Sequence, residues 1–111
     1  MTLGTLNGVI DITSSASVYA TSAGAEKSVA SSATACNKAP AHELSIGGAK
    51  IGDEAHLCSM VRKSGGQTFR FYAVIWRRGA VKAAVFTGGL DGRIAPNQAV
   101  SLARLQDKRM K

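Results

Sequence analysis

Cys36, His42, His56 and Cys58 are the only cysteines and histidines in the chain, and together they form one conceivable zinc-ligand set. His56 and Cys58 are two residues apart, a spacing that puts both on one face of a strand. The set lacks the close pairing of structural zinc sites, and a chain that is 45% hydrophobic needs no metal to fold. No metal is expected. The same two cysteines permit one disulfide, which would staple the end of a helix to a central strand in an oxidising compartment. Two buried thiols in a cytosolic protein are the alternative. A Cys–His pair and a base at Asp53 or Glu54 are present, but nothing supplies an oxyanion hole or a third, orienting group. Asp53-Glu54-Ala55-His56 spells a box that holds magnesium and water in nucleotide hydrolysis, yet no Gly-rich phosphate loop ending in Lys and Ser or Thr occurs. The chain is therefore expected to be no enzyme, with no catalytic residue and no cofactor.

Binding chemistry is better represented. Arg70 lies between Phe69 and Phe71-Tyr72, and Arg77-Arg78 follow Trp76. Interleaved aromatic and basic residues on a strand can stack bases and neutralise phosphates, although an aromatic strand is also what a β-core looks like. The net charge of +7 is unevenly spread. Residues 1–61 hold three basic and five acidic side chains, and residues 62–111 hold eleven basic ones with only Asp91 and Asp107 as acids. That asymmetry favours an anionic partner, or simply a solvated basic surface.

The elements that must carry these residues follow from pattern. At 111 residues the chain fits one domain, 1–111, and no apolar run is long enough to span a membrane. The first twenty residues do not read as a signal peptide, because no basic residue precedes Lys27 and Asn7 and Asp11 interrupt the apolar stretch. Gly8 to Thr13 reads as a short strand. From Ser17 to Cys36 the chain is rich in Ala and Ser, with Val18, Ala25, Val29, Ala33 and Cys36 at helical intervals and Gly24 as a weak point. Asn37 to Lys50 reads as irregular, broken by Pro40 and Gly47-Gly48. Three strands follow, near Ala55–Arg62, Thr68–Arg77 and Ala80–Thr87. Pro96 then opens a C-terminal helix whose apolar face is Ala99, Leu102, Ala103 and Met110. The expected class is α+β: strand, helix, three-stranded antiparallel meander and C-terminal helix, with the helices packed on one face.

A two-residue turn flanked by Arg77 and Ala80 would pair Trp76 with Val81, Val74 with Ala83 and Tyr72 with Val85 on one face. The opposite face would carry Phe71, Ala73, Ile75, Ala84 and Phe86, with Arg77 and Lys82 among them. Both faces are too apolar for one to lie in water. If the helices cover one, the other should meet a ligand, a partner segment or a second subunit. The candidate binding residues are thus Arg70, Phe71, Ile75, Arg77, Lys82 and Phe86. The apolar ones would receive a ligand, and the cations would orient its anionic end.

Gly52-Asp53-Glu54-Ala55, then two strands joined by Arg77-Arg78-Gly79, then Ala95-Pro96 leading into Leu102-Ala103-Arg104-Leu105-Gln106-Asp107-Lys108-Arg109, resembles a recurring pattern. It is similar to the C-terminal half of small exported lipoproteins and extracytoplasmic sensor domains of Gram-positive, particularly actinobacterial, bacteria. The similarity spans about residues 50–110. It implies a secreted or cell-envelope module on a PsbP/Mog1-like α+β scaffold, and it carries over no functional residues. This chain has no lipobox cysteine.

The expectation is a non-enzymatic, extracytoplasmic binding or sensing module for a small apolar or anionic ligand, or a protein partner. It would use the apolar sheet face or a cleft between sheet and helices. Two alternatives stay open: a cytoplasmic basic domain that binds nucleic acid through residues 62–111, and an assembly protein forming a homodimer through its sheet.

Overall fold

The computed structural model describes residues 9–36, 38, 41–44 and 51–109. The expected breakers Pro40 and Gly47-Gly48, and Met110 of the expected helix face, lie outside them, as does the His42 side chain. The elements run β1 (Val9–Val18), α1 (Ser22–Cys36), β2 (His42–Leu44), β3 (Glu54–Ser64), β4 (Gln67–Arg78), β5 (Val81–Leu90) and α2 (Pro96–Arg109). The strands make one antiparallel sheet in the order β1-β5-β4-β3-β2. The α+β class, the meander and the C-terminal helix are as the sequence predicts.

Three details differ. First, β1 runs on to Val18 because Ser14 to Val18 pair with β5 from Val85 back to Val81. Pairing with a central strand overrides the weak strand preference of Ser and Ala. The helix begins later, at Ser22, where Thr21 caps it: Thr21 Oγ1 accepts from the Gly24 N–H at 3.1 Å. Gly24 thus sits in the first turn, where it does little harm. Second, a short strand, β2, emerges from the stretch expected to be irregular and pairs with Leu57–Ser59. Third, the β4–β5 turn is Gly79-Ala80 between Arg78 and Val81, so Trp76 pairs with Ala83, Val74 with Val85 and Tyr72 with Thr87. Gly79 has φ of 59°, and no other residue type in the described chain has positive φ. A two-residue turn with positive φ only at its first position demands glycine there, which sets the register. The partners shift by two residues, an even number, so the expected faces survive.

Those faces position the helices. Leu57, Tyr72, Val74, Trp76, Ala83 and Val85 pack with Ala99 and Ala103 of α2, together with Ile51 and Ile94. The alternate residues Cys58, Ile75 and Ala84 pack with Val29 of α1. The two helices therefore lie on opposite faces, not on one. With both faces apolar, each takes a helix out of water.

α2 opens as its sequence predicts, with Pro96 first and Gln98 Oε1 accepting from the Ala95 N–H at 2.9 Å. Lys108 and Arg109 in its last turn face the negative end of the helix dipole. A disulfide joins Cys36, the last residue of α1, to Cys58 of β3, with Cα atoms 5.7 Å apart.

Candidate functional site, the sheet face beneath α1

α1 is a thin cover. Its buried side chains are Ala25, Val29 and Cys36, and only Val29 is large enough to fill space between helix and sheet. Beyond it the strands present residues that α1 covers only in part. Ser32, Ala35, Cys36, Ala41, Cys58, Met60, Phe71, Tyr72, Ala73, Ile75 and Phe86 surround an open depression of about 230 Å³. Phe86 is 44% exposed, one of three large exposed hydrophobic side chains among the described residues, together with Val18 and Leu105. A half-open aromatic over an apolar floor is a place where a ligand could remove apolar surface from water.

A second depression of about 170 Å³ adjoins the first through Ser32, Ile75 and Phe86, and extends over Ser15, Ser17, Tyr19, Lys82, Ala83 and Ala84. This end is polar. Lys82 Nζ donates to Ser32 Oγ at 2.7 Å, to Ser28 Oγ at 3.0 Å and, at a long 3.5 Å, to the Ser28 carbonyl. The Tyr19 hydroxyl donates to the same Ser28 Oγ at 2.8 Å.

The structure brings four of the six candidate residues together here: Phe71, Ile75, Lys82 and Phe86. Arg77 shares the face, but its guanidinium is committed. Its Nε donates to Glu54 at 3.1 Å, and its Nη1 reaches Asp53 at 3.5 Å and the Gly79 carbonyl at 3.2 Å. Arg70 belongs to the other face, where Nε donates to Asp91 at 3.1 Å and Nη1 to the buried Ser59 hydroxyl at 2.8 Å. The alternation of β4 explains this: Arg70 is in phase with Tyr72 and Val74, and Phe71 with Ile75. Sequence reasoning missed Tyr19, Ser28 and Ser32, because nothing in a Ser-rich helix shows which serines face a lysine fifty residues away. Their spacing was a signal, since Ser28 and Ser32 are four apart on one helix face.

The described candidate metal ligands are otherwise engaged. Cys36 and Cys58 are bonded to each other, and the His56 ring lies between Glu43 at 3.2 Å and Glu54 at 3.6 Å. Among the described residues no group of three metal-ligating side chains forms.

The segments at Gly52-Asp53, Arg77–Gly79 and Asp107 meet in a clasp. Gly52 adopts φ of 58°, and a Cβ there would stand 2.4 Å from the Arg77 carbonyl oxygen. The Asp53 N–H donates to that carbonyl at 2.7 Å, while the Asp53 carboxylate accepts from the Gly79 N–H at 2.7 Å. On the α2 face Asp107 accepts a bidentate pair from Arg78 at 2.8 and 2.7 Å and a third bond from the Gly52 N–H at 3.0 Å. The Arg78 hydrogen bonds, aided by the Gly52 N–H, hold the Asp107 carboxyl below its ordinary range against the opposing effect of burial. The Trp76 indole N–H adds a lesser pull, although its geometry falls short of a full hydrogen bond. The clasp ties a turn, a strand entrance and a helix together.

A groove of about 390 Å³ also runs between β1 and α2, lined by Ile12, Val85, Leu102, Leu105 and Arg109. Ser14 and Gln106 also line it, and its cation, Arg109, is exposed in the last turn of α2.

No helix among the described residues is long and apolar enough to cross a membrane. Comparison with protein-family models, with curated proteins and with solved structures finds no match to this chain.

Proposed function

We infer that this is a non-enzymatic binding or sensing module of an extracytoplasmic compartment, and that its ligand occupies the sheet face beneath α1. The observation that carries this reading is the underfilled apolar depression around Phe71, Ile75 and Phe86, which a helix covers only in part. The Cys36–Cys58 bridge supports an oxidising location, because such bonds persist where thiols are not kept reduced. The nucleic-acid alternative draws less support from the geometry. Arg70, Arg77 and Arg78, the cations nearest the aromatic strand, are each paired with a carboxylate.

The test uses anilinonaphthalene sulfonate, a fluorescent apolar anion. The wild-type protein should enhance its emission saturably, and the double substitution Phe71→Ser and Phe86→Ser should remove the enhancement with the far-UV dichroism unchanged. If the double variant unfolds, these residues are core and the site reading is lost.

A further inference from the structure

We propose that the site beneath α1 takes an anionic amphiphile, a monocarboxylate with a short apolar chain, whose head is held by Lys82 and Ser32, with Ser28 behind them. This rests on the binding reading above and adds the chemistry of the ligand.

The charge balance of the site points this way. Lys82 stands directly opposite Arg77 across the β4–β5 pair and opposite Ser17 across the β5–β1 pair. Two like charges face to face repel. Arg77 is neutralised by Glu54 and Asp53, whereas Lys82 makes no ion pair among the described residues. Its partners are neutral oxygens, so one positive charge remains uncompensated in a part-buried position.

The hydrogen bonds add to that charge. Ser28 Oγ accepts from both Tyr19 and Lys82, and Ser32 Oγ accepts from Lys82. A hydroxyl whose oxygen is already accepting has its own proton left to give. The 3.5 Å contact from Nζ to the Ser28 carbonyl is at the limit of a hydrogen bond and is the one that a better acceptor would replace. Ammonium and hydroxyl donors therefore converge with no carboxylate paired to Lys82 among the described residues, and this electron-poor cradle is matched by an anion with several lone pairs.

Geometry then specifies the rest of the ligand. Ser32, Ile75 and Phe86 border both depressions, so a head on Lys82 leads its chain across Ile75 and beneath Phe86 toward Met60 and Phe71. A purely polar anion would leave the Phe86 end in water. A neutral apolar molecule would leave Lys82 without a counter-charge.

The experiment is an NMR titration of the disulfide-intact protein with decanoate, decanol and decyltrimethylammonium, each below its micelle concentration. Decanoate is expected to bind about tenfold more tightly than decanol, the factor given by one charge-assisted hydrogen bond, and the cation is expected to bind least. Shifts should cluster at Ser28, Ser32, Lys82 and Phe86. Lys82→Met should bring decanoate down to the affinity of decanol. Should that variant be poorly folded, Ser32→Ala, which keeps a good helix former in α1, should still weaken decanoate several-fold and leave decanol unchanged. Equal binding of decanoate and decanol by the wild-type protein would overturn the anion inference and leave the apolar site standing. If none of the three ligands binds, the binding reading falls with it.

Discussion

The two faces of the sheet are made from the same strands, residue alternating with residue, and they are finished differently. Beneath α2 lie Trp76 and Val74, both wholly buried, with Leu57, Tyr72, Val85, Ile51 and Ile94 around them. The helix is fixed there at its far end by the three hydrogen bonds that Asp107 accepts. Beneath α1 the buried cluster is Val29, Ile75 and Ala84. That helix is fixed by a covalent bond at its last residue and by serine contacts to a lysine. One face is filled by large side chains; the other is held in place and left partly open. Tight packing stabilises a fold but leaves no room for a ligand, so the loosely filled face is where binding can evolve without dismantling the core.

This contrast breaks most easily at its strongest point. Trp76→Ala should cost about 3–5 kcal/mol, the range for deleting a buried aromatic side chain. Phe86→Ala, at an open position on the other face, should cost less than about 1 kcal/mol. Urea denaturation of both variants measures the difference, and equal losses would mean that the two faces are equally core. Next in size is the staple. Replacing Cys36 and Cys58 by serine should destabilise the protein by about 3 kcal/mol, as expected for a loop of some twenty residues. Amide exchange should rise in α1 before it rises in α2; uniform exchange would show that the bond supports the whole fold and not the thin side of it.

The clasp comes next, after the core and the staple. Asp107→Ala should cost about 1–2 kcal/mol through lost hydrogen bonds, a modest figure because the Arg78 end is open to solvent. The pH dependence has a definite sign. A carboxyl held below its ordinary value of 3.8 contributes fully above that value, and the contribution is lost as pH falls through the depressed pKa. Asp107→Asn should therefore flatten the acid limb of the stability curve. An unchanged acid limb would remove Asp107 from that role.

Local pattern was enough for much of this. The alternation of apolar residues from Phe69 to Trp76 marks a strand with two dry faces, and it sorts Phe71, Ile75 and Phe86 onto one of them. Pro96 places the start of α2, and the small apolar residues of α1 mark its sheet-facing side. These are legible because strand and helix periods depend only on backbone geometry. The strand β2 was not legible, because three residues carry too little pattern to stand out.

What the tertiary structure alone decided is which helix meets which face and which of three cations has no ion pair among the described residues. Sequence places Arg70, Arg77 and Lys82 within thirteen positions of one another; strand alternation sets Arg70 on the other face, but nothing local shows which of the three finds a carboxylate. Asp91 and Ser59 claim the first, and Glu54 with Asp53 claims the second. Lys82 meets serines from a helix fifty residues earlier. Electrostatic character depends on distances of a few ångströms between groups far apart in the chain. Composition could set the total charge, but only folding could give Arg70 and Arg77 carboxylates and Lys82 neutral oxygens.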